Sequence, residues 1–171
     1  LPAGVSISAS ANPFCPGTSV TFTATPVNGG VSPSYQWKLN GVNAGMNSTV
    51  FTCNPAVGDS VRCIITSNLN CVTGNPASSG KMILSGNPVP NVSFSACFDT
   101  VTILSAKPYK LHGGLPSGGQ YSGPGVNSQT GIFTPSTAGT GLKTILYSYS
   151  NVYTCIAAKS KTILVQSTPA F

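Results

Sequence analysis

The sequence predicts an all-β chain of two tandem β-sandwich domains, and three observations carry that reading. The first is composition. Charged residues make up only 6% of the 171 positions, glutamate is absent, and Gly (19) and Pro (14) are abundant beside Ser, Thr and Asn. Such a chain disfavours long helices, because Ser, Thr and Asn compete with the helical backbone and Gly and Pro break it. It suits short strands joined by tight turns. The second is period-two alternation of apolar and polar residues in several short runs. The third is an internal repeat: VSISA at 5–9 recurs as VSFSA at 92–96, just after a proline-rich joint, SGNPVPN at 85–91. The domains are therefore expected at 1–87, with four cysteines, and 88–171, Gly-rich with two. The C-terminal QSTPAF reads as the same joint entering a third copy, with Pro169 and Phe171 matching Pro90 and Val92. Together with a start at Leu1, it suggests a segment of a longer array.

In the first domain, SVTFTAT (19–25) aligns Val20, Phe22 and Ala24 on one face. YQWKL (35–39) aligns Tyr35, Trp37 and Leu39, and SVRCIIT (60–66) aligns Val61, Cys63 and Ile65. NGG and NG between such runs are turn signals. The second domain repeats the pattern in TVTIL (100–104), QYSG (120–123), GIFTP (131–135), KTILYSY (143–149) and KTILV (161–165). About seven strands in some 85 residues make a β-sandwich.

Trp37, the single tryptophan, falls on the third strand, and Asp59-x-Val61-x-Cys63 opens a later one. A tryptophan on strand C with a cysteine on strand F is the arrangement of the immunoglobulin fold, so both domains are expected to be immunoglobulin-like. Trp37 is then a core residue, and Tyr35 is buried beside it. The second domain has no tryptophan, and Tyr121 is the candidate for the equivalent place.

The chemistry-bearing inventory is short. Lys and Arg number eight against two acids, a net charge of +6, but the cations are spread singly along the sequence. That spacing suggests a solvated surface and no nucleic-acid partner. No apolar run reaches the roughly 18 residues that span a membrane. The acids are Asp59 and Asp99, one per domain, and His112 is the single histidine. No carboxylate pair can run glycoside hydrolysis, and no GxSxG marks a nucleophile. A calcium cage needs several carboxylates. No enzyme activity, metal or cofactor is expected. His112, in KLHGG, reads as a surface or strand-end residue. The Gly-rich run LPSGGQYSGPGVNSQTG (115–131) is either a set of turns or a ligand surface, with Tyr121, Asn127 and Gln129 as its contacts. Asn47 (NST) and Asn91 (NVS) fit the N-glycosylation sequon, which requires a eukaryotic-type pathway.

The stretches CPGTSVTFTATPVNGG (15–30), SYQWKLNGVNAG (34–45), GDSVRC (58–63) and SNLNCVTG (67–74) resemble the Ig-like and PKD-like repeats of very large cell-surface proteins of Bacteroidetes. GGLPSGGQYSGPGVNSQTGIFTPSTAGTG (113–141) and YSYSNVYTC (147–155) resemble a second repeat type of the same proteins. The resemblance implies a non-catalytic stalk, filament or adhesin, of the kind used in gliding motility and exported by type IX secretion. Its partners would be neighbouring repeats of the same chain, surface glycans or other surface proteins. A glycan- or protein-binding module is the alternative. Cys53 departs from the typical repeat, and Thr154 departs from the second type, which usually carries glycine before the cysteine.

Six cysteines without metal-like spacing suggest disulfides and an oxidising compartment. Cys97 pairs with Cys155 if the domains do not cross-link. By analogy between the repeats, Cys15 pairs with Cys71 and Cys53 with Cys63. Cys15–Cys63 with Cys53–Cys71 is the other possibility. Asp59-Ser60-Val61 and Asp99-Thr100-Val101 are similar to the O-glycosylation motif of exported Bacteroidetes proteins. Alternation with inward-facing valines is expected to turn the Ser60 and Thr100 hydroxyls to solvent.

Overall fold

A computed structural model describes residues 1–95 and 100–167. The chain divides into two compact units, Leu1–Asn87 and Pro88–Phe171. Both are immunoglobulin-like β-sandwiches.

The first unit contains β1 (Gly4–Ala9), β2 (Val20–Val27), β3 (Ser34–Leu39), β4 (Val42–Ala44), β5 (Val50–Cys53), β6 (Ser60–Thr66), β7 (Ala77–Ser78) and β8 (Met82–Ile83). One sheet runs β1-β2-β5; the other runs β4-β3-β6-β7, with β8 also on β6. In immunoglobulin terms these are strands A-B-E and C′-C-F-G, the last strand being broken into β7 and β8. The alternation builds the core: Val20, Phe22 and Ala24 of β2 point inward, as do Trp37 of β3, Phe51 of β5, and Val61 and Cys63 of β6. Trp37 is 0% exposed. Its ring lies 5.7 Å from Phe51 and 6.4 Å from Phe22, and its indole N–H donates to the Ser48 carbonyl at 2.8 Å. Burial of so large a side chain contributes on the order of 3 kcal/mol, and the N–H partner removes the penalty of an orphaned donor. Tyr35 packs on the margin of this core, half-buried. Leu39 pairs with Val42 around Asn40-Gly41. Both turn residues have positive φ (51° and 85°), the signature of a type I′ hairpin and the reason for Asn-Gly here.

The second unit contains β9 (Ser93–Phe94), β10 (Val101–Ile103), β11 (Tyr109–Lys110), β12 (Gly114–Leu115), β13 (Gln120–Ser122), β14 (Val126–Asn127), β15 (Ile132–Phe133), β16 (Gly141–Ser150) and β17 (Ile156–Gln166). A one-turn helix, α1 (Pro135–Ala138), follows β15. The sheets run β10-β17-β16-β13, β11-β15-β14 and β12-β9. The chain crosses between sheets after β13 and returns at β16, as Greek-key sandwiches do. β10 joins β17 in parallel, while β16 and β17 form a long antiparallel hairpin. One core receives Phe94, Leu111, Phe133, Ile145, Tyr147, Ile163 and Val165 from these sheets and their flanks.

The aromatic centre of this unit differs from the expected one. Tyr121 does sit mid-strand on β13, opposite Tyr147, as Trp37 sits on β3 opposite Cys63. Yet Tyr147 is the buried ring, at 2% exposure, and Tyr121 is half-buried beside it, centroids 4.8 Å apart. The Gly-rich run wraps this pair. A Cβ added to Gly114 or to Gly119 would lie 2.5 Å from Tyr147 atoms, so only glycine permits that approach. The Tyr147 hydroxyl donates to the Pro116 carbonyl and accepts from the Gly119 N–H at 2.8 Å.

Candidate functional site

The proposed ligand contacts of the Gly-rich run separate once folded. Tyr121 and Gln129 line one shallow depression of about 430 Å³ together with Lys110 and Gln120. Tyr121 is already committed: its ring packs against Phe94 at 5.5 Å, and its hydroxyl accepts from the Gly114 N–H at 3.0 Å. Asn127 is not on that lining. Its side-chain oxygen accepts from the N–H groups of Gln129 and Thr130 at 3.0 and 3.1 Å. This is an Asx turn, a local device that shapes the loop.

Ser60 and Thr100 differ in the same way. Thr100 is exposed at the entry to β10. Ser60 is only 8% exposed, which corrects the expectation of an outward hydroxyl. The cause is Asn40. Its side chain folds from the hairpin turn over the start of β6, and its amide oxygen accepts from the Ser60 N–H at 2.9 Å and the hydroxyl at 3.4 Å. The Asn40 amide nitrogen donates to Asp59 at 2.7 Å, and the other Asp59 oxygen accepts from the Ala56 N–H at 2.8 Å. These two bonds hold the Asp59 carboxyl below its usual range, outweighing a small opposing effect of burial. Asp59 is thus a structural capping residue of its turn. Asp99 lies outside the described residues. His112 is exposed.

The cysteines also depart from expectation. Cys15 and Cys155 are each disulfide-bonded, whereas Cys53, Cys63 and Cys71 are free thiols. Neither proposed set of pairs in the first unit therefore forms. Topology explains part of this. Cys63 points into the core from strand F, where its cross-strand partner is Trp37. Desolvation raises the Cys63 thiol to about 11. Burial, with a smaller effect of the Asp59 charge, also raises Cys53. Cys71 is exposed, with φ of 59°. Cys97 lies outside the described residues. Thr154 holds φ of 63°. A β-branched residue is costly in that region, which is why glycine suits it.

One arrangement escaped the reading of the sequence. Lys38 of β3 stands directly opposite Arg62 of β6. On the other side of β6, Val61 pairs with Met82, which places Lys81 beside Arg62. The three cations form a row across the outer face of the sheet, because Trp37, Val61 and Cys63 point inward. The row borders a depression of about 450 Å³ closed at one end by Asn40, Gly41 and Gly58. They are 24 and 19 positions apart in sequence, numbers fixed by 38, 62 and 81, so only strand register could have revealed them. Among the described residues, no group of three His, Cys, Asp or Glu side chains is placed to hold a metal, and no helix is long and apolar enough to cross a membrane.

No family profile matches the chain, and neither does any curated protein sequence. Solved structures with a similar course of chain do exist. One contains three N-terminal domains of the outer capsid protein Hoc of bacteriophage RB49, at 15% identity and TM-score 0.47, covering 95% of this chain and 59% of that one. Another is a Ca2+-stabilised adhesin with which an Antarctic bacterium binds ice, at 12% identity and TM-score 0.45, covering 98% and 49%. A third is a Bacteroides ovatus mixed-linkage glucan utilisation protein, SGBP-B, at 11% identity and TM-score 0.33, covering 94% and 47%. The chain spans about half the length of each. The immunoglobulin-like assignment rests on the strand order itself.

Proposed function

We propose that the chain is a non-catalytic structural segment of an extracellular stalk, filament or adhesin, built of repeats that follow one another along one polypeptide. The observation that carries this reading is where the distinctive residues go. Trp37, Tyr121, Tyr147, Asn127 and Asp59 are each engaged in the packing or capping of their own unit. The sequence is poor in acids, which suits a module that must stand outside a cell without calcium. The resemblance to Bacteroidetes surface repeats supports export by the type IX route and a role in adhesion or gliding. Thr100 remains the O-glycan acceptor of this reading, because it is exposed and follows Asp99. Intact-mass analysis of material from the source organism checks it; an unmodified Thr100 contradicts it.

The test of the structural role is replacement. In the parent chain, residues 1–171 are exchanged for two unrelated immunoglobulin-like units of the same length. A spacer predicts that surface display and projection length, seen by electron microscopy, are retained. Loss of display with a folded replacement overturns the reading.

A further inference from the structure

We infer that the row Lys38–Arg62–Lys81 is a binding site for a glycan carrying carboxylate or sulfate groups. Three observations lead there. First, these are the three basic residues of the first 87 positions, and all three border one depression. Second, the placement opposes stability. Lys38 and Arg62 are direct cross-strand partners, with Cβ atoms about 5 Å apart, and like charges so placed repel. Third, the head groups are available. Among the described residues no hydrogen bond or ion pair engages the side chain of Arg62 or Lys81. Lys38 is steered by the Asn43 side-chain oxygen at 2.6 Å and reaches the Gly41 carbonyl at 3.5 Å. The acid of this stretch, Asp59, is held by Asn40 and the Ala56 N–H and is not on the lining of the depression.

The lining selects among anions. It holds no aliphatic or aromatic side chain, and protein ligands anchor through buried aromatic and apolar groups. Polar side chains and glycine backbone suit hydroxyl groups, and the cations suit the acid substituents. A concave wall of one sign concentrates such a ligand. A second copy of this chain is a poor occupant, since it carries the same net charge of +6 and two acids. The site lies on the first unit and does not depend on the stalk reading.

The test is binding of the full chain to polygalacturonate, dextran sulfate, neutral dextran and polyglutamate. The expected result is binding to one or both acidic polysaccharides, which separates carboxylate from sulfate preference, with none to neutral dextran. Binding weakens with added salt. The double variant Arg62→Gln/Lys81→Gln, with an unchanged melting temperature, loses about tenfold or more. Lys159→Gln/Lys161→Gln removes the same charge from β17 and serves as the control, with a change under about twofold. Each single variant replaces the double one if the latter fails to fold, with a loss of about threefold expected. An equal loss in the control, no binding to either acidic polysaccharide, or equal affinity for polyglutamate overturns the proposal. Such a failure leaves projection length, the readout of the structural role, unaffected.

Discussion

At the scale of the residue, Trp37 and Cys63 define the centre of the first unit from adjacent strands. Trp37→Ala removes the largest buried side chain and strands the Ser48 carbonyl. It is expected to cost roughly 3–5 kcal/mol, read as a shift of the denaturation midpoint; a change under about 1 kcal/mol contradicts the core assignment. The thiols give a second check. The thiolate is the reactive form, and Cys63 is buried with its thiol raised to about 11. At pH 8 an alkylating reagent is expected to label exposed Cys71 quickly and Cys63 only on unfolding. Native labelling of Cys63 at the Cys71 rate contradicts the packing. Trp37 was legible because large apolar residues at period two have one sensible destination. Cysteine pairing was not, because a bond requires two side chains to face each other, and the strand that pairs with β6 sets Trp37 opposite Cys63.

At the scale of the element, the instructive segment is the Gly-rich run around β12 and β13. As sequence it fits turns or a ligand surface equally. Folded, Gly114 and Gly119 lie against Tyr147, and the run closes over a core. Gly114→Ala forces the ring to move and is expected to cost about 1–3 kcal/mol. Gly80→Ala, which meets nothing within 4 Å and needs no positive φ, is expected to be close to neutral. Comparable melting temperatures for the two variants would show that the run does not grip Tyr147. The start of β6 shows the limit of alternation. Period two placed Val61 inward correctly, but the neighbour Ser60 is covered by Asn40 from another turn. Side-chain caps that reach across sequence are invisible to a periodicity argument. The Lys38–Arg62–Lys81 row was hidden likewise, since β3, β6 and β8 become neighbours only through the crossovers of the sandwich.

At the scale of the whole molecule, the scarcity of acids has a consequence for pH. Carboxylates stabilised in the native state usually drive acid denaturation. Asp59 has a lowered folded value, so its contribution is present above the unfolded value near 3.9 and is lost as pH falls through the folded one. With Asp99 the only other acidic side chain, little else is lost. The protein is expected to remain folded at pH 3 with a modest fall in melting temperature, reduced further in Asp59→Asn. Cooperative unfolding above pH 4 contradicts this. The proposed role requires these two sandwiches to stand outside a cell. Immunogold electron microscopy of intact, unpermeabilised cells of the source organism, with antibody raised against residues 1–171, tests that claim most directly. The account predicts gold beyond the outer surface before any permeabilisation; gold confined to the interior and visible only afterwards would contradict it.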